Sequence, residues 1–495
     1  MLDLRNAKQI TVIGGGAAGW FAALVIRKIF HPGVAVKVIA SEKIGIVGVG
    51  EGGLLNIVQT LNHLQIPTGE FIKETKANYK LGFRYKGWRT GLENDEYFHF
   101  FMNHRLVEMS EKYADIYPVM AAYIALGKEL HKIIPIYQDI IKPIGFDEMT
   151  KHLLQTENQG GIGVSFHFDS FAVAEFLKKI AIQRHVVYED AEVQDFEQDE
   201  QGNVCKIITD KGITQTDFII DASGFKRILI GKYLKSDFES FEKYLILDKA
   251  IPYHLQHPKE NPELITTATA FEAGWEWQIP LKDRIGAGYV FSSAHKTEQQ
   301  AMDELEQRHG NKIELFKTLS FVPGIYKKVW IKNVVSVGLA SGFVEPLEAT
   351  SLGQTFEQLR SLGQVISQSG WLITDKNIEK YNEGNLLAWH GIRDFLRMHY
   401  DCTRKDNAFW QDISNLPYPD EYHELKQIMQ QRTLREIDIN HYIGKGWQGI
   451  FHVHNWSLVA DGLGLISKQA AVNDLNLLPK EVAIKAFEQV QMKMT

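Results

Sequence analysis

The period of apolar and polar positions changes several times along this chain, and each change marks an element. QITVIGGGAAGWFAALVIRK (9–28) reads as an apolar strand, a glycine turn and a helix; VAVKVIASE (34–42) reads as a second strand. Residues 54 to 160 mix helical periodicity with aromatics, as in LNHLQIPTGEFIKETKANYKLGFRY and DIYPVMAAYIALGKELHKII. Residues 168 to 195 return to helix and then strand. A hairpin turning at Gln201-Gly202-Asn203 leads to the apolar strand FIIDASG (218–224). Residues 265 to 295 read as strands, among them GWEWQIP (274–280) and the return strand IGAGYVFSS. After VVSVGLASG (334–342) a long helix starts near Thr350, and the last hundred or so residues are helical and aromatic.

In GWEWQIP the period of two puts Trp275, Trp277 and Ile279 on one face, with Glu276 and Gln278 opposite. Taken alone, that ridge is either a core strand ending at Pro280 or one wall of a chamber. In NYKLGFRYKGW the same alternation sets Tyr79, Leu81, Phe83 and Tyr85 on one face and Lys80, Arg84 and Lys86 on the other, the pattern of a solvated lysine face.

Gly14, Gly16 and Gly19 form G-x-G-x-x-G between a strand and a helix. The first glycine permits a tight turn, the second lets a pyrophosphate reach the backbone, and the third lets the helix pack on the strand, with the helix N-terminus facing the anion. Dinucleotide binding follows. The acidic ribose ligand is either Glu42, slightly late after the second strand, or missing. FAD is expected over NAD, because the nucleotide-binding elements extend to a second glycine-bearing strand end, VGLASGFVEP.

Composition narrows the setting. The chain has 495 residues, 44% hydrophobic and 23% charged, with net charge -7 and no long basic run. Nucleic acid is therefore not an expected partner. The two cysteines, Cys205 and Cys402, stand outside any CxxC pair, so neither a disulfide framework nor a metal site is expected. With no apolar run of about 18 residues and a nucleotide-fold strand starting near residue 9, the expected setting is a reducing cytoplasm, without a membrane span. The chain reads as one interleaved α/β body: a Rossmann-type FAD-binding module with mixed sheets over 1–385, of the glutathione-reductase-like monooxygenase kind, carrying an inserted helical and aromatic substrate segment at about 54–160, and a mostly helical substrate module over 386–495.

GGGAAGW (14–20), GVGE (48–51), GWEWQIP and FVEPLEATS (343–351) together resemble the flavin-dependent halogenases, the tryptophan halogenase family. HFDSF (167–171), DASGF (221–225), GYVFSS (288–293) and DNAFW (406–410) extend the resemblance over most of the chain. The resemblance implies an enzyme that receives reduced FAD from a separate flavin reductase. Oxygen then gives a flavin C4a-hydroperoxide, halide (chloride or bromide) attacks it, and hypohalous acid travels through a tunnel to a lysine beside a small electron-rich aromatic.

By the same resemblance Lys80 and Glu348 are catalytic, Glu348 polarising the halogenating species or taking the ring proton, with Glu345 a competing candidate. FAD is met by Gly14, Gly16, Ala17, Gly19, Ser41, Glu51, Val193, Leu339 and Leu352, and halide by Thr350 and Ser351. The substrate pocket takes His99, Phe101, Trp275, Trp277 and Trp456, the tryptophans separating flavin from substrate. The chain departs from the free-tryptophan pattern near its end: Asn455 precedes Trp456, the expected tyrosine pair is His441-Tyr442, and no glutamate lies between Ile443 and Trp456. A zwitterion has no evident partner there, so indole, a substituted indole or a similar arene is the expected substrate, for a monomer or homodimer. The rival is a flavin aromatic hydroxylase, which would carry Gly-Asp where this chain has Gly338-Leu339.

Overall fold

The computed structural model describes residues 1–45, 48, 51–92, 94–101, 117–133, 148–151, 163–257, 262–313 and 317–492. Positions 49 and 50 of the GVGE stretch, and much of the expected insertion, lie outside the described residues.

Strands far apart in sequence build the nucleotide sheet. Its six strands run Trp330–Ile331, Val334–Ser336, Phe218–Asp221, Gln9–Ile13, Ala35–Ala40 and Val186–Asp190, all parallel except the first. Gln9–Ile13 is buried on both faces from Ile10 onward, as a parallel strand covered on both sides requires. The helix Ala17–Ile29 packs along it and buries Trp20 to Ile26. The expected hairpin is present, pairing Val193–Gln198 with Val204–Thr209.

A second sheet carries the chemistry. Its seven strands run Leu319–Ser320, Lys249–Leu255, Ile285–Phe291, Gly274–Pro280, Thr266–Ala270, Gly82–Lys86 and Glu96–Phe100. Cross-strand partners share a face. Trp275 pairs with Ala270, Trp277 with Ala268, Ala268 with Tyr85, Tyr85 with Tyr97, and Phe83 with His99. One face of this sheet is therefore a continuous aromatic wall. On the other face lie Arg84, Thr267, Gln278 and Glu276; Glu276 is buried and held by Tyr253 and by His309 Nε2 at 2.6 Å.

One expectation is corrected here. Residues 79 to 86 do not form a single strand with a solvated lysine face. Asn78–Lys80 pairs with Ser165–Phe168 in a small three-stranded sheet, whereas Gly82–Lys86 belongs to the aromatic sheet. The chain changes sheets at Leu81, whose N–H bonds to Leu264 O at 2.8 Å and whose carbonyl accepts from Phe101 N–H at 2.9 Å. Gly82 makes the crossing possible: its φ is +151° and a Cβ there would lie 2.3 Å from His99 O. The change of sheet removes Lys80 from the face of Arg84 and Lys86 and turns it inward.

The C-terminal region is helical, as expected. The helix Asp375–His399 crosses position 385, where the two expected modules would meet. Its first half is tied to the nucleotide side, Asn382 accepting from Trp330 N–H at 2.8 Å, while its last turn brings His399 to the aromatic wall. The long helix Thr350–Gln368 begins where the sequence places it.

Candidate active site

The glycine turn has the shape a dinucleotide needs. Gly14 has φ +120°, and a Cβ there would sit 2.2 Å from Ala222 O; one on Gly19 would sit 2.0 Å from Gly14 O. The helix Ala17–Ile29 starts at Gly16 with no side-chain cap and no acidic residue in its first turn, leaving its N–H groups free for an anion. The turn Gly338–Ala340, which carries half-buried Leu339, rests on this start, with the Cβ site of Gly338 3.0 Å from Ala18 Cβ. Ser41 and Val193 flank one junction, where Ala191 N–H bonds to Ala40 O at 3.1 Å. Glu42 is exposed and its backbone N–H bonds to Asp190 Oδ1 at 2.9 Å, so the turn after the second strand is set by Asp190. These residues fit FAD.

Glu51 and Gly52 form a short strand against Phe168 and His167, and burial raises the Glu51 carboxyl above its ordinary range. Gly52 then meets Lys80 directly: a Cβ on it would lie 2.7 Å from Nζ. Residues 51 to 54 thus pass directly beside the lysine.

Lys80 is wholly buried, and Nζ has no hydrogen-bond partner among the described residues. Its ammonium position is 3.8 Å from the Phe83 ring centre and 5.5 Å from that of Phe101. Burial lowers its pKa from 10.5 to about 7, partly offset by the charge of Glu348. A lysine in this state is present in part as a free amine at neutral pH.

Glu348 is held by three side chains that sequence reasoning did not all anticipate. His99 Nδ1 lies 2.8 and 2.9 Å from its two oxygens, Tyr85 Oη donates to Oε1, and His399 Nε2 is 3.4 Å away. Burial by itself would raise this carboxyl, but the imidazoles of His99 and His399 outweigh it and hold it far below the usual range. Glu348 is therefore a firmly ionised acceptor and a poor base. Glu345, three residues earlier, differs. It accepts from Trp275 Nε1 at 3.0 Å and from Tyr400 Oη, its Oε2 has no partner among the described residues, and burial raises its pKa to about 7.

Glu348 and Ala349 are consecutive left-handed residues, φ +63° and +53°, immediately before the helix Thr350–Gln368. Such strain is concentrated where structure serves a site. The helix start has no side-chain cap, Thr350 is buried with Oγ1 unpartnered among the described residues, and Ser351 is half-buried beside it. The pair fits an anion. Leu352 follows, buried against the nucleotide core.

The expected pocket residues converge. His99, Phe101 and Lys80 all surround Phe83, the His99 ring stacking at 5.9 Å. Trp275 and Trp277 stand at 6.3 Å from each other, and Trp88 backs Trp275. Trp456 is buried, stacked on Tyr442 at 5.4 Å and edge-on to Phe395 at 5.0 Å; Phe395 in turn lies 5.8 Å from His99. Tyr442 donates its hydroxyl to Asp394 Oδ2 at 2.7 Å. A surface cavity of about 470 Å³ lies on the opposite face of the sheet, beside Arg84 and Thr267, away from this chemistry. Sequence reasoning missed Tyr85, which had been counted only as an apolar position, and His399, which lies in no motif.

A family model described as tryptophan halogenase matches residues 9–474. An uncharacterized protein, y4xG, of Sinorhizobium fredii is 38% identical over 97% of this chain and 94% of its own. Tryptophan 7-halogenase KtzQ of a Kutzneria species is 28% identical over 94% of this chain and 91% of its own. Among solved structures, a tryptophan C-6 flavin-dependent halogenase (chlorinase) from taromycin biosynthesis superimposes with a TM-score of 0.82 at 26% identity, covering 98% of this chain and 96% of that one.

Proposed function

The chain belongs to the tryptophan halogenase family, and from that premise we propose that it halogenates an electron-rich arene of the indole type that lacks a free amino-acid end. It is a flavin-dependent halogenase; the substrate, the halide and the roles below are our reading. One observation carries it: a wholly buried Lys80 amine, unpartnered among the described residues, in an aromatic chamber and coupled to Glu348.

Bound as FADH2 and supplied with O2 and halide, the flavin provides electrophilic halogen; a separate flavin reductase supplies the reduced cofactor. The glycine cradle at 14–19 binds its pyrophosphate. Thr350 and Ser351 hold the halide through the open helix start and the free Thr350 hydroxyl. Gly52 presses no side chain on Lys80, leaving the amine open to a hypohalous species arriving past residues 51–54. Lys80 accepts or hydrogen-bonds that species as a neutral amine. Glu348, saturated with donors, polarises it as a fixed anion and is not the group that removes the ring proton. The rigid indoles of Trp275 and Trp277 keep the arene from the cofactor.

The substrate reading rests on the C-terminal region. A zwitterion needs paired charge when buried, and Tyr442 spends its hydroxyl on Asp394. Mass spectrometry of products from the enzyme, a flavin reductase, O2 and bromide or chloride tests the proposal. Indoles are expected to be halogenated and free L-tryptophan to be a poor substrate. Oxygenated product formed without halide would instead identify a hydroxylase.

A further inference from the structure

We propose that Asn455 is a positioning residue that holds His99 as its neutral Nδ1–H tautomer, so that its one ring proton is donated to Glu348 on the Lys80 side of the chamber. The second half of this statement rests on the reading of Lys80 and Glu348 given above; the first half does not.

Asn455 is the third residue of the helix Val453–Gly462, and its Oδ1 accepts from His452 N–H at 2.7 Å, capping the helix start. This orients the amide. Its Nδ2 therefore points inward and lies 2.9 Å from His99 Nε2. An amide NH2 can only donate, so Nε2 must accept and carries no proton. The ring proton is then on Nδ1, where it is donated to Glu348 at 2.8 and 2.9 Å. His99 and Asn455 are both buried, so no water relieves a mismatch cheaply. An imidazolium would set N–H against N–H. Flipping the amide to accept from it would set NH2 against the His452 N–H.

Two further histidines, a lysine and a tyrosine stand around His99. His399 lies 3.4 Å from Glu348 through Nε2 and meets Tyr97 Oη through Nδ1 at 3.1 Å. His454, on the helix of Asn455, is buried and held neutral, chiefly by burial. Lys80 stands across the Phe83 ring and Tyr85 shares Glu348. The only anion facing His99 is Glu348, among the described residues, and it is already met by Tyr85 as a second donor. With both ring nitrogens engaged, His99 can offer an arene only its ring face.

The residue at 455 thus sets the charge of a group two contacts from the lysine. An aspartate there would accept from Nε2–H and convert His99 to an imidazolium. A leucine would remove the donor to Nε2 and release the tautomer.

The test uses the full-length protein with ¹⁵N-labelled histidine, with the His99 resonances assigned by their loss in His99→Gln. In the wild type at neutral pH, His99 is expected to show a protonated Nδ1 and an unprotonated Nε2. In Asn455→Asp both nitrogens are expected to be protonated, and kcat for halogenation to fall by about tenfold with KM for the arene little changed. In Asn455→Leu the preference for Nδ1–H is expected to be lost, with both neutral tautomers appearing at the same pH. An Nε2–H tautomer or an imidazolium in the wild type overturns the proposal. So does an unaltered His99 in Asn455→Asp, which would leave Asn455 as a helix cap only. If the tautomer shift occurs but no arene is halogenated by the wild type, the lock stands and the functional reading fails.

Discussion

Trp275 donates its indole N–H to Glu345 Oε1 at 3.0 Å, so the aromatic wall is fastened to the same short loop that carries Glu348. Wall, anion and the start of the helix Thr350–Gln368 are therefore one mechanical unit, and Glu345 is its buried anchor. Because burial lifts the Glu345 pKa from 4.5 to about 7, its protonated form is favoured in the folded state. The unfolded chain ionises first as pH rises. Folding stability is thus expected to fall between about pH 4.5 and 7 and to level off above, by at most about 3 kcal/mol. Glu345→Gln removes this slope while keeping an acceptor for Trp275. Denaturant titrations of both proteins at several pH values check it; parallel curves would show that Glu345 is ionised throughout.

Lys80 gives the opposite slope. Its folded pKa of about 7 lies below the 10.5 of the free side chain, so the unfolded state binds the extra proton between these values and stability rises with pH across them. The full burial cost is present below about pH 7. Lys80→Met is expected to abolish halogenation, keep FAD binding, and raise stability at or below neutral pH by at most about 5 kcal/mol, the gain shrinking toward pH 10.5. In the wild type, product formation is expected to rise through about pH 7 as the free amine appears. A pH–rate profile flat across that range would show that the protonation state of Lys80 does not matter.

Gly52 is expected to be intolerant of a methyl group. A Cβ there would lie 2.7 Å from Lys80 Nζ, 3.1 Å from Cδ and 3.2 Å from Cε, so the lysine must move. Gly52→Ala is expected to reduce halogenation by at least about tenfold, a misplacement effect, while flavin affinity, read by fluorescence quenching, changes little. Equal turnover in the variant would show that the lysine is free to shift without consequence.

Tyr442 separates structure from substrate recognition. Its hydroxyl is donated to buried Asp394, so Tyr442→Phe leaves that oxygen short of a donor and is expected to cost about 1–2 kcal/mol of stability. The KM for indole is expected to stay within about twofold. A large rise in KM with stability unchanged would mean that this hydroxyl meets the substrate after all.

Local pattern was enough for the nucleotide half. A strand, a glycine turn and a helix are near-neighbour features, and the reasons Gly14 and Gly19 must be glycine are contacts within that unit or with the adjacent strand end. The period of two likewise placed Trp275 and Trp277 on one face, and the long helix began at Thr350 as the sequence indicates. Motif resemblance supplied Lys80 and Glu348 as candidates, but not their state.

That state was decided by chain segments hundreds of residues apart. The alternation around Lys80 mimics a solvated strand face, and only the change of sheet at Leu81 turns the amine inward against Phe83 and Gly52. Glu348 becomes a fixed anion because Tyr85, His99 and His399 reach it from two strands and the end of a helix. Asn455, which in sequence is merely a departure next to Trp456, acquires a role through His99, 356 positions away. Periodicity records which face a side chain takes relative to its neighbours. Burial, donor count and charge depend on what packs against that face, and that is settled by long-range contacts which no local pattern encodes.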